Sequence, residues 1–167
     1  LEAANYFKLS YRQSLSYKES FQAFYQRQEL LDNVGESFKN NGDIDSASTY
    51  FARTIDYIDT AGTPYTGQGQ TRLKEVAKAV VYGNQGEIAM QKKQNTLATQ
   101  LLRKSIDINL KKGNDYGNAE LVEINLGKLY FATHQYQPFL SLFKDLRNQL
   151  DTVKNEEAET SWNLLMS

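Results

Sequence analysis

The chain contains no cysteine, which removes disulfides, thiolate nucleophiles and zinc–thiolate sites together. That absence leaves the compartment open, since reducing and oxidising settings both tolerate it. Only two prolines and ten glycines occur among 167 residues, a supply that suits long regular elements better than a loop-rich β fold. No run approaches the ~18–20 apolar residues of a membrane span, and no signal-peptide pattern opens the chain. The formal net charge is -1, so the bulk electrostatic footprint for nucleic acid or an anionic membrane is missing. Neither partner is expected, nor direct membrane contact by this segment.

What is present is apolar spacing of three and four. Ala4, Phe7, Tyr11 and Leu15 form one stripe, and Phe24, Leu31, Val34 and Phe38 another. The spacing continues through Phe51, Ile55 and Ile58, then Val76, Val80 and Ile88, then Leu97, Leu101 and Ile108, then Leu126 and Leu129, then Phe139, Phe143 and Leu146. The pattern predicts an all-α chain of eight helices near residues 2–18, 21–41, 44–59, 71–93, 96–112, 115–133, 137–150 and 155–167. Punctuation agrees: Gly42-Asp43 supplies a C-terminal glycine and an N-cap. Thr71, Asn95 or Thr96, the stretch Gly113 to Asp115, and Asn155 are further expected starts. Pro138 suits a first turn, and "TPYTGQGQ" reads as the one long flexible loop.

Glycines interrupt the amphipathic helices in register. Asn33-x-Gly35 is followed by Phe38, Ala47 and Phe51, Asn84-x-Gly86 by Ala89, Ala98 and Leu102, and Asn125-x-Gly127 by Tyr130, Phe139 and Phe143, at identical offsets. A mid-helix glycine costs roughly 1 kcal/mol against alanine. Its recurrence predicts a close approach of two antiparallel helices, with the glycine against the small residue of the second helix and large residues beside them.

This pattern resembles the tetratricopeptide repeat, with its Leu-Gly, Tyr, Ala and Phe positions in helix-turn-helix units. The first unit, Val34-Gly35, Phe38, Gly42-Asp43, Ala47 and Phe51, fits best. The second has Gln85 and Ala89 for the usual leucine and tyrosine, and the third departs at Phe139 and Pro138. The resemblance implies antiparallel helix pairs stacked as a right-handed superhelix, an α-α solenoid. Residues 1–167 then form one domain: a half repeat 1–19, repeats 20–62, 71–113 and 115–151, and the start of another at 154–167. Ala3 and Phe7 take the small and aromatic positions of the half repeat. Because the pattern begins inside a helix and "SWNLLMS" starts another unit, the chain reads as a piece of a longer array, with exposed repeat ends that favour self-association. Glycine spacings of 51 and 41 exceed the family's usual ~34. Such long units are similar to those of kinesin light chains, Rap-type bacterial regulators and the repeat regions of some bacterial sensor kinases.

Enzyme chemistry finds little support. His134 falls in an inter-helix turn with no second catalytic group in view. Glu156, Glu157 and Glu159 crowd a helix start, where the dipole explains them better than a metal would. Gly67-Gln68-Gly69 follows no strand and lacks the lysine and hydroxyl of a phosphate loop, so it reads as linker. The basic spots Arg72–Lys78 and Leu110–Asn114 read as solvated faces. No catalytic residue, metal or cofactor is expected.

The resemblance does imply a binding face. Asn33, Asn84 and Asn125 fall where family members face the concave groove, and side-chain amides can hold the backbone of an extended peptide. Equally, they can bond to neighbouring helices. In the same register Glu36, Glu87, Met90, Lys128 and Phe131 complete the candidate site, flanked by Glu29, Asp32, Lys39, Val80, Leu121 and Ile124. Asp32 and Glu36 stand where carboxylate-clamp members carry cations, so a clamp is not expected. The implied function is a protein- or peptide-binding scaffold. The alternative is a sensory or regulatory input domain of a larger bacterial signalling protein, such as a histidine kinase or transcription regulator.

Overall fold

The computed structural model describes residues 1–111, 113–150 and 156–166. They form eight helices: α1 (Glu2–Ser14), α2 (Phe21–Asn40), α3 (Ile44–Ala61), α4 (Gln68–Gln91), α5 (Asn95–Asn109), α6 (Tyr116–Ala132), α7 (Tyr136–Leu150) and α8 (Glu156–Met166). No strand occurs among the described residues. Consecutive helices from α1 to α7 pack on one another, and α2 touches α4, α4 touches α6, and α6 touches α8. The even-numbered helices therefore stand in a row.

The turns that join α2 to α3, α4 to α5 and α6 to α7 share one geometry. Gly42, Lys93 and His134 have left-handed backbones, with φ of 80°, 56° and 57°. Each stands seven residues after the register glycine of its unit. The next N–H in each case, from Asp43, Gln94 and Gln135, donates to the carbonyl of Phe38, Ala89 and Tyr130 at 3.0, 2.8 and 2.8 Å. This bond satisfies a carbonyl that the ending helix leaves open. Glycine adopts that conformation freely; lysine and histidine do so at a cost.

The register glycines do make room, though for a different neighbour than the spacing suggested. A Cβ on Gly35 would meet the Phe51 ring at 2.6 Å, and one on Gly86 would meet Leu102 at 2.7 Å. The large residue of the second helix, not the alanine, lies over the glycine. Ala47 and Ala98 are buried beside these contacts. Gly83, one turn before Gly86, faces Val122 of α6, so α4 approaches its neighbour in the row through a second small residue.

Several boundaries differ from the expected ones. α1 ends at Ser14 rather than 18 because a side chain from α2 terminates it. Buried Arg27 donates to the Ser14 carbonyl at 2.8 and 3.3 Å, to the Tyr17 carbonyl at 3.3 Å and to Glu19 at 2.7 and 3.0 Å. A cation there also complements the helix C-terminus. Within α1 the buried small residue is Ala4 rather than Ala3, and Ser14 replaces Leu15 at the end of the stripe.

Residues Gly67-Gln68-Gly69 are not linker: Gly67 is the N-cap of α4, and its N–H donates to the Gln70 side chain at 3.2 Å. Gln94, rather than Asn95 or Thr96, stands at the N-cap position of α5, without a side-chain capping bond, and α5 ends at Asn109, three residues short of 112. Asp115 caps α6 as expected, its carboxylate accepting the Asn118 N–H at 3.0 Å. Asn155 lies outside the described residues. Ile124 and Leu121 of α6 meet Leu146 and Phe143 of α7 and Trp162 of α8, with the Phe143 and Trp162 rings 4.2 Å apart.

Candidate functional site

The row α2, α4, α6 brings the candidate residues onto neighbouring helices, and most of them join one polar chain. Lys39 is its hub. The ammonium donates to Glu36 Oε1 at 3.0 Å, to Asn84 Oδ1 at 2.9 Å and to Glu87 Oε2 at 2.7 Å. All three of its donors are thus engaged. On the far side Glu87 Oε1 accepts from Asn125 Nδ2 at 2.7 Å, and Lys128 Nζ reaches Asn125 Oδ1 at 3.5 Å. The chain of contacts runs from Glu36 on α2 through α4 to Lys128 on α6. Burial works against the charge of Lys39, but the hydrogen bond and charge of Glu87, with those of Glu36, outweigh it and hold the ammonium above its ordinary pKa.

Three candidates stand apart. The Asn33 side chain makes no hydrogen bond with a described residue; only its backbone carbonyl accepts, from Ser37 at 2.7 Å. Met90 is half-buried against the core that holds Ala89, Leu102 and Leu129, so it belongs to packing as much as to any surface. Phe131 is 56% exposed, with its ring 6.2 Å from Tyr136 and 5.7 Å from Phe139. The flanking apolar positions Leu121 and Ile124 are taken up by α7 and α8, which leaves Phe131 as the exposed one of the apolar candidates of α6.

Asn84 is only 8% exposed, with its oxygen bound by Lys39 and its amide beside the Asp32 carboxyl. Two of the three asparagines therefore serve the helices themselves. Asn33 alone has an amide free to face a ligand.

Beside Asn33 lies a cleft of about 330 Å³ between α2 and α4, reached also by Asp115 at the start of α6. Glu29 and Asp32 line it from α2, and Val76 and Val80 from α4. Burial, reinforced by the charge of Glu36, raises the Asp32 carboxyl to about 7 against the partial relief of Lys39 and Asn84. Burial also raises Glu29. Tyr25 is raised by burial and then by the charges of Glu29 and Asp115, which line the cleft with it. The register marked Glu29, Asp32 and Val80 as groove-facing. It gave no sign of Tyr25, Val76 or Asp115, whose contribution depends on how helices remote in sequence are placed.

His134 sits in the exposed turn between α6 and α7, with its Nδ1 2.8 Å from the Tyr136 hydroxyl. Among the described residues no group of three or more histidines and carboxylates is arranged to hold a metal ion, and no helix is long and apolar enough to cross a membrane. No protein-family model matches the chain, and comparison with curated proteins found no match.

Proposed function

We propose that this chain is a protein- or peptide-binding scaffold of the tetratricopeptide-repeat type. Its helix pairs stack as a right-handed superhelix, and an extended peptide or a helix lies along the inner face made by α2, α4 and α6. The observation that carries this reading is the continuous run of polar side chains from Glu36 through Lys39, Glu87 and Asn125 to Lys128. Lys39 and Glu87 lock the three helices into one surface, and the free amide of Asn33 and the exposed ring of Phe131 flank it. A ligand on such a face gains most of its affinity from a few anchors and its register from amide contacts with the peptide backbone.

Selection of peptides from a displayed random library on the immobilised protein tests the reading. Enriched peptides should share a motif, and their affinity should fall for the variants Asn33→Ala and Phe131→Ala. A folded protein that enriches no motif, or a motif insensitive to both substitutions, would place the binding surface elsewhere or remove it.

A further inference from the structure

The cleft beside Asn33 has a composition the polar run does not explain. Glu29 and Asp32 project into it from α2, and Asp115 approaches from the start of α6. No cation among the described residues is within 4.0 Å of any of the three, whereas Glu36 and Glu87 of the same row, each about a third exposed, pair with Lys39. The opposite wall, Val76, Ala77 and Val80, is apolar. Gln28, only 4% exposed, lines the same cleft and makes no hydrogen bond with a described residue. The Gln28 amide is therefore open to a ligand in the cleft. Asp32 Oδ1 is enclosed, and the hydrogen-bonding group turned toward this carboxyl is the neutral Asn84 amide. At about 330 Å³ the cleft stands at the lower end of ligand-sized sites, which run from ~300 to 1,000 Å³.

We propose that this cleft is a receptor for a single alkylammonium or guanidinium group, whose apolar stem lies on Val76 and Val80 and whose charged head meets Glu29, Asp32, Asp115 and the Gln28 amide oxygen. An apolar wall opposite carboxylates is the complement of a lysine or arginine side chain, which is itself a methylene stem with a cationic tip. The Tyr25 ring adds a surface that attracts a cation. A bare metal ion fits the site poorly, since these carboxylates do not converge on one point. A planar or tetrahedral donor of several N–H groups can instead serve carboxylates that stand apart. The cation has two sources, a basic side chain of a bound peptide or a free small amine. The proposal rests on the peptide-binding reading only for the first of these.

Occupancy should depend on pH. Asp32 must ionise to hold a cation, and the groups that face it are Glu29 and Glu36 on its own helix, Lys39 beyond them and Asn84 on α4. Binding should therefore strengthen as pH rises from 6 to 8.

Calorimetric titration of the full chain at pH 8 and low salt separates the outcomes. The probes are agmatine, a capped tetrapeptide with one arginine, and the same peptide with norleucine in its place. Agmatine or the arginine peptide should bind with one site per chain, and the affinity should fall roughly tenfold or more in Glu29→Gln and in Asp115→Asn. Asparagine retains the cap of α6, so loss of binding in that variant is not loss of the helix. A peptide much tighter than agmatine identifies a peptide side chain as the natural occupant, and the reverse identifies a free amine. Equal binding of the norleucine and arginine peptides would leave a peptide-binding face and overturn the cation site. Absence of any cation binding, or binding unchanged in both variants and at pH 6, would overturn it as well.

Discussion

The Phe51 ring lies directly over Gly35, so close that a Cβ on the glycine would stand 2.6 Å from it. Leu102 covers Gly86 in the same way in the next unit. The contact joins the two helices of a pair where each is buried, and it explains why a residue that weakens a helix recurs in the middle of one.

Gly35→Ala should therefore destabilise the chain, although alanine favours the helix by roughly 1 kcal/mol. Overpacking against the ring costs about 1–3 kcal/mol, and Gly35→Leu should cost more than Gly35→Ala. Urea unfolding measures both. In the Phe51→Leu background the penalty of Gly35→Ala should shrink, because a flexible side chain can move aside where a ring cannot. An alanine variant as stable as the parent would mean that the helices separate without cost.

The left-handed turn residues give the opposite sign. Lys93 and His134 occupy the conformation that Gly42 holds in the first unit. A left-handed backbone costs a non-glycine residue roughly 1–2 kcal/mol. Lys93→Gly and His134→Gly should each raise the melting temperature by a few degrees, less than the full strain because glycine also frees the unfolded chain. Gly42→Ala should lower it. Loss of stability in Lys93→Gly and His134→Gly would show that contacts of those side chains outweigh the strain of the left-handed backbone.

Asn33 and Asn84 have the same place in the repeat and different surroundings. Asn84→Ala removes an acceptor from the Lys39 ammonium and should lower stability by about 0.5–1.5 kcal/mol. Asn33→Ala breaks no side-chain hydrogen bond and should leave the melting temperature nearly unchanged while weakening bound peptide. Lys39→Met should cost more than Asn84→Ala, because it strands Glu87 beside Glu36. If Asn33→Ala proved as destabilising as Asn84→Ala, the amide would be structural.

Asp32 predicts a slope in stability against pH. Its carboxyl titrates at about 7 when folded, against 3.8 as its ordinary value. Between these values the folded chain holds a proton that the unfolded chain has released, so stability falls as pH rises from about 4 to about 7 and then levels. Asp32→Asn should remove that component. The variant should match the parent near pH 4 and exceed it at pH 8, as denaturant midpoints across the range will show. A variant with no advantage at pH 8 would mean that Asp32 is ionised at no cost when folded.

What the sequence determined by itself was local: the eight helices, the pairing implied by the glycine register, and the caps at Asp43 and Asp115. These follow from spacing of three and four, from φ restrictions, and from side chains that bond three residues away. Some of its errors were local, as at the Gly67 start of α4, but those that shape the site were at positions governed by distant partners. The Ser14 end of α1 is set by Arg27 from 13 residues on, and Lys39 meets Asn84 and Glu87 across 45 and 48 residues. Nothing local distinguishes Asn33 from Asn84, since their spacing to glycine is the same. Only the placement of α2 beside α4 put a lysine against one amide and left the other beside an acidic cleft. Burial and charge pairing depend on every helix that arrives at a point, and those helices meet only in the folded chain.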